Sequence, residues 1–128
     1  MSFNIRYFWL LLTKILPTMH HYLISYDLID SERFNGTYRD QMIRFLLENN
    51  CSELTSNVAT TIYFTTYHSL FELQSSIIKS RLKDDIYYHL VQIATKPLSE
   101  TPKMEVHPNP DIVKGFDADV ARIDESMD

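Results

Sequence analysis

Gly36 and Gly115 are the only glycines in this 128-residue chain. With so few, neither a glycine-rich phosphate loop nor a dinucleotide-binding fingerprint can be built, which excludes the nucleotide-cofactor enzymes that depend on them. A single cysteine, Cys51, leaves no partner for an internal disulfide and rules out a cysteine-built zinc site. One lone thiol suits a reducing compartment, so a cytoplasmic location is expected. Long apolar runs are also missing. Tyr7–Leu16 is the nearest to one, but Lys14 interrupts it and it falls short of the ~20 residues that span a bilayer, so no membrane association is expected. Arg6 ahead of that run resembles the start of a signal peptide, yet Leu16-Pro17-Thr18-Met19 offers no small-residue cleavage site. Met19 directly precedes the first strand-like segment. Translation starting there would leave residues 1–18 as an appended helix or a start-site artefact.

Basic charge is the remaining scarcity: 12 Lys and Arg stand against 17 Asp and Glu, a formal net charge of −5. Residues 1–18 carry +2, residues 19–96 carry −2 and residues 97–128 carry −5, so the acidity sits in the C-terminal tail. A footprint on phosphates normally shows as clustered Lys and Arg, and this chain does not show one. A dimer would still focus the few basic side chains it has.

Hydrophobic residues, 45% of the chain, are enough for one moderate core and a single domain. From Met19 to Ala94 strand-like and helix-like segments alternate. Residues 20–29 read as a strand, and 30–36 as a polar linker. A helix from about Thr37 to Asn49 places Tyr38, Met42, Phe45 and Leu46 on one face. Ser52–Ser56 and Val58–Thr66 read as a hairpin joined at Asn57. Ser69 caps a second helix, Leu70–Leu82, with Leu70, Phe71, Leu73, Ile77 and Ile78 as a broad apolar face. Lys83-Asp84-Asp85 then turns the chain into Ile86–Ala94, a strand apolar enough for a sheet interior.

Strand, helix, strand, strand, helix, strand is the order of an α+β, ferredoxin-like βαββαβ sandwich: one antiparallel sheet with two helices on one face. Crossover rules suggest the first and last strands at its centre. The face without helices is expected to stay bare, ready for a second copy or a ligand. The tail from Pro97 onward is acidic. Its spaced apolar residues between Asp111 and Ile123 permit a short helix, and its composition favours fraying.

The chemistry centres on Asp27. His20–Leu28 is rich in Tyr, Ile and Leu, and an Asp at the end of such a strand has to be solvated, paired or bound to a cation. Strand period puts Tyr22, Ile24, Tyr26 and Leu28 on the face toward the helices, with Leu23, Ser25 and Asp27 opposite. The plainer role for Asp27 is to open the following turn. His20 and His21 point to opposite faces, and His68, His89 and His107 lack ligand spacing, so satisfied or exposed histidines are expected. Tyr63, Tyr67, Tyr87 and Tyr88 could stack bases, but without a basic signature they read as core or interface packing. Cys51 reads as a small apolar filler at a helix end.

Tyr26-Asp27-Leu28 closing an apolar strand, Arg33 in the next loop, an amphipathic helix, a Thr- and aromatic-rich hairpin, a second helix and a strand after Asp84-Asp85 resemble the CRISPR-associated endoribonuclease-like family. That family holds the smaller protein of the CRISPR spacer-adaptation pair, and its relatives include virulence-associated protein D toxins. The resemblance spans residues 19–95 through short, degenerate motifs. It implies a ferredoxin-like homodimer whose strand-end Asp27 holds Mg²⁺ between protomers for phosphodiester cleavage of RNA or DNA, although many members serve as structural nucleic-acid binders. A cation there would polarise the scissile phosphate and activate water, with Ser25 orienting it. Arg33, Arg39 and Arg44 are the natural phosphate contacts, unless they pair with Asp40 and Glu48. Asp30 and Glu32 make the loop after Asp27 more acidic than phosphate handling favours. The alternative is a non-catalytic dimer that acts as an adaptor or inhibitor, docking a protein partner through the open sheet face and the acidic tail.

Overall fold

A computed structural model describes residues 18–30, 35–94 and 104–127. Within them the order is β1 (His20–Leu28), α1 (Asn35–Glu48), β2 (Ser52–Val58), β3 (Thr61–Thr66), α2 (Leu70–Lys79), α3 (Leu82–Asp85), β4 (Ile86–Ile93) and α4 (Pro110–Ser126). Apart from Thr18, the N-terminal extension lies outside the described residues, as does Arg33.

The four strands form one antiparallel sheet in the order β2-β3-β1-β4, and the fold is α+β. The expected placement of the first and last strands at the centre is therefore corrected: β1 and β3 are central, and β4 is an edge. The apolar character of β4 is explained by one side only. Ile86 is buried and Tyr88 and Leu90 pack on the core, while Tyr87 and Val91, on the opposite face, are exposed.

Register builds the core. Tyr22 faces Phe64 and Ile24 faces Ile62 across the β1–β3 ladder, and all four are buried. Tyr22 and Phe64 also stack, with ring centroids 5.6 Å apart. This set meets Tyr38, Met42, Ile43 and Leu46 of α1 and Leu73 and Ile77 of α2. Phe45 is only half-buried, and Leu70, Phe71 and Ile78 are exposed, so each helix inserts a narrower apolar stripe than its sequence suggests.

Local signals fix the ends. Asn50, with φ 59°, closes α1. The Cys51 N–H donates to the Leu46 carbonyl (3.0 Å) and that of Asn50 to Leu47 (3.1 Å), the paired bonds of a Schellman stop with Asn in the left-handed position. Ser69 and Glu72 form a reciprocal capping box on α2: the Glu72 N–H donates to Ser69 Oγ (3.1 Å) and the Ser69 N–H to the Glu72 carboxylate (3.0 Å). That second bond is the main reason the Glu72 carboxyl sits below its usual range. The hairpin turns at Ala59–Thr60 instead of Asn57, with Thr60 at φ 59°. The second helix stops at Lys79, short of the expected Leu82, and Leu82 joins residues 83–85, expected as a turn, in one separate helical turn.

Over residues 104–127 the C-terminal segment packs on the domain, whereas composition favours fraying. Asn109 caps α4 by accepting from the Asp111 N–H (3.1 Å), and Pro110 occupies the first turn, where its missing N–H costs nothing. Phe116 and Ile123 then enter the core at 0% and 1% exposure. The helix lies against α1 and beside β2. Arg39 pairs with Asp119, and Arg122 bridges Asp40 (2.9 Å) and Asp119 (3.2 Å), so charges as well as apolar groups hold α4 to α1.

Candidate functional site

Asp27 is exposed at the end of β1 on the face away from the helices, as strand period requires once Tyr26 is committed to the core. Among the described residues, no hydrogen bond or ion pair engages its carboxylate. Antiparallel register puts Tyr87 of β4 opposite Asp27 and His89 opposite Ser25. Ser25, Asp27, Tyr87 and His89 line one shallow depression of ≈ 180 Å³. On its other flank Ser25 faces Thr61, whose hydroxyl donates to Ser25 Oγ at 3.4 Å.

The expectation of a bare face is only half met. The extended segment Met104–His107 lies over its β2–β3 half, where with Leu23, Thr55, Val58 and Tyr63 it encloses a second, more apolar pocket of ≈ 330 Å³. The segment is pinned just beyond, where the Asn109 N–H donates to the Asn57 carbonyl (2.8 Å). Among the described residues, only the β1–β4 half, which carries Asp27, is open.

The three arginines do not converge on Asp27 within the described residues. Arg33 lies outside them. Arg39 is on the helix side next to Tyr26 and pairs with Asp119. Arg44 is exposed on α1, in the layer that covers the opposite face. His21 hydrogen-bonds the Tyr63 hydroxyl, and His68 contacts Glu72 at 3.3 Å. Burial pushes the Cys51 thiol up to about 12, which leaves it a neutral filler at the end of α1.

Sequence reasoning missed the placement of Tyr87 and His89 beside Asp27. No spacing along the chain could reveal it, because it arises from the pairing register of two strands about sixty residues apart. Among the described residues no group of three or more His, Cys, Asp and Glu side chains is placed to hold a metal ion. Nor is any described helix long and apolar enough to cross a membrane. No family model, curated protein or solved structure matches the chain.

Proposed function

We propose that the protein is a ferredoxin-like homodimer of the CRISPR-associated endoribonuclease-like type, acting on nucleic acid through a divalent cation held between the Asp27 side chains of two copies. The observation that carries this reading is the position of Asp27: at the end of a central strand, exposed, without a partner among the described residues, on the face the described helices leave free. The sequence of elements β1-α1-β2-β3-α2-β4 and the strand order β2-β3-β1-β4 support the ferredoxin-like reading.

The donor set suits Mg²⁺. Magnesium keeps several waters and is commonly held by one or two carboxylates, a number that one Asp27 from each copy supplies. Sheets packed face to face stand about 10 Å apart, a gap that two facing carboxylates and a cation can bridge. A cation bound there supplies Lewis acidity toward a phosphodiester and makes a neighbouring water more acidic. The chain's own contribution is positional. Asp27 anchors the cation, and Ser25, its hydroxyl held by Thr61, is oriented to direct a water. Of the three arginines, Arg33, outside the described residues, is the one this reading leaves for phosphate, since Arg39 pairs with Asp119 and Arg44 lies in the layer on the far side of the sheet.

A cleavage assay on single-stranded RNA and on duplex DNA with Mg²⁺ or Mn²⁺ tests this. Cleavage that needs the metal and disappears in Asp27→Ala is the expected result. Metal-dependent cleavage that survives the substitution removes Asp27 from the reaction.

The second reading, a non-catalytic dimer acting as a protein adaptor or inhibitor, has one observation in its favour. Arg39 and Arg122 are committed to Asp119 and Asp40, so they neutralise the protein's own carboxylates and leave an acidic surface. Tight nucleic-acid binding with a steep salt dependence would count against it.

A further inference from the structure

Leu73 and Ile77 fill the buried side of α2 and account for only part of its apolar surface. Phe71 and Ile78, two turns apart on one stripe, stand 76% and 49% exposed. Leu70, at 40%, links that stripe to the core side, and Tyr67, at 55%, stands just ahead of the helix. Gln74 is the polar side chain within the stripe, while Glu72 and Lys79 project away from it. A charged partner finds nothing to pair with here. An apolar segment does.

Such a segment leaves the domain at the foot of α2. His20 opens β1 opposite Thr66, and only Tyr67-His68-Ser69 separate Thr66 from Leu70. The Tyr22 hydroxyl fastens this corner by donating to the His68 carbonyl (2.7 Å), and the His20 ring sits against Tyr22 on the helix side of the sheet. Residues 1–17 therefore attach beside the exposed stripe, and they contain the unbroken apolar run Tyr7–Leu12 followed by Ile15 and Leu16. Reach is sufficient in any conformation. Even coiled as a helix, residues 9 to 18 extend about 14 Å, against about 12 Å from Leu70 to Ile78 along α2.

The small size of the stripe favours a tethered occupant. About 12 Å of a helix about 10 Å wide falls far below the about 800 Å² per partner of a standard interface, so a free partner would not stay. A segment joined through a few residues has an effective concentration in the millimolar range and avoids most of the cost of association.

We infer that the N-terminal apolar segment, Tyr7–Leu16, docks on the exposed stripe of α2 formed by Tyr67, Leu70, Phe71 and Ile78 of the same chain. The docking is independent of Asp27 and of the sheet face that carries it.

Trp9 is the only tryptophan, so fluorescence of the full 128-residue chain reads this segment alone. Its emission is expected to be blue-shifted from that of the urea-unfolded chain and shielded from acrylamide at every protein concentration. Phe71→Lys and Ile78→Lys, at exposed positions, should move both readings toward those of the unfolded chain. Val106→Lys, across the sheet, should change neither. Circular dichroism confirms that each variant folds. A solvent-exposed Trp9 in the folded parent, shielding that survives both α2 substitutions, or equal exposure in Val106→Lys would overturn the inference. Shielding that appears only as protein concentration rises would overturn it in favour of a second copy, and shielding only with phosphatidylcholine–phosphatidylglycerol vesicles in favour of a lipid surface.

Discussion

One strand, β1, shows two different uses of its two faces. Tyr22, Ile24 and Tyr26 lie under the helices, are nearly inaccessible to solvent and share a ladder with Ile62 and Phe64. Leu23, Ser25 and Asp27, interleaved with them, look out on solvent or on the extended Met104–His107 segment. The first set supports the fold, and the second contributes little that the fold would miss. A carboxylate with no partner among the described residues is tolerated at Asp27 because its neighbours Tyr26 and Leu28 hold the strand in place from the other side. The same division explains α4. It adds Phe116 and Ile123 to the covered side, while the segment leading to it roofs only the far half of the other side.

The largest effect expected from this comparison is on the covered side. Phe116→Ala should cost about 3–5 kcal/mol, since a fully buried aromatic is removed from a close-packed site. Chemical denaturation would measure it. A loss under 1 kcal/mol would mean that α4 is not part of the core. Alkaline pH should act next. Burial raises the Tyr26 phenol to about 12 from 10.0 and the Cys51 thiol to about 12 from 9.0. Both are neutral in the folded chain and ionise earlier when it unfolds. Their stabilisation is therefore complete below pH 9 and is lost as pH rises from 9 toward 12. The melting temperature should fall across that window and fall less steeply in Cys51→Ala. A flat profile to pH 11 would contradict it.

Smaller still is Asp119→Ala, which takes the carboxylate from Arg39 and leaves Arg122 with Asp40 alone at the α1–α4 seam, and should cost about 1 kcal/mol, a difference that shrinks in high salt. The smallest belongs to the open face. Asp27→Ala should change stability by no more than about 0.5 kcal/mol, because the side chain is exposed and has no partner among the described residues. A loss of several kcal/mol would show the carboxylate to be structural and erase the contrast between the faces.

How far the sequence could anticipate this varied with the range of the interaction. The faces of β1 were legible because alternation is local, and the Ser69 cap because a hydroxyl ahead of an apolar run signals a helix start. The Asn109-Pro110 start of α4 and the i, i+4, i+7 spacing of Phe116, Val120 and Ile123 were equally present in the chain. Acidity alone masked them, since composition does not say that Asp119 meets Arg39. The turn at Ala59–Thr60 carries no glycine, proline or asparagine to announce it. Strand order could not be read from the apolarity of β4, because a one-sided edge strand with tyrosines on both faces resembles a buried one. The site followed the same rule: Asp27 stood out by its position at the end of a strand, whereas Tyr87 and His89 join it only through the register of a distant pair.

The most direct test of the shared cation is a titration of the concentrated protein with Mn²⁺ followed by electron paramagnetic resonance. The account predicts one tightly held ion for every two chains, lost in Asp27→Ala. One ion per chain, or undiminished binding in that variant, would contradict it.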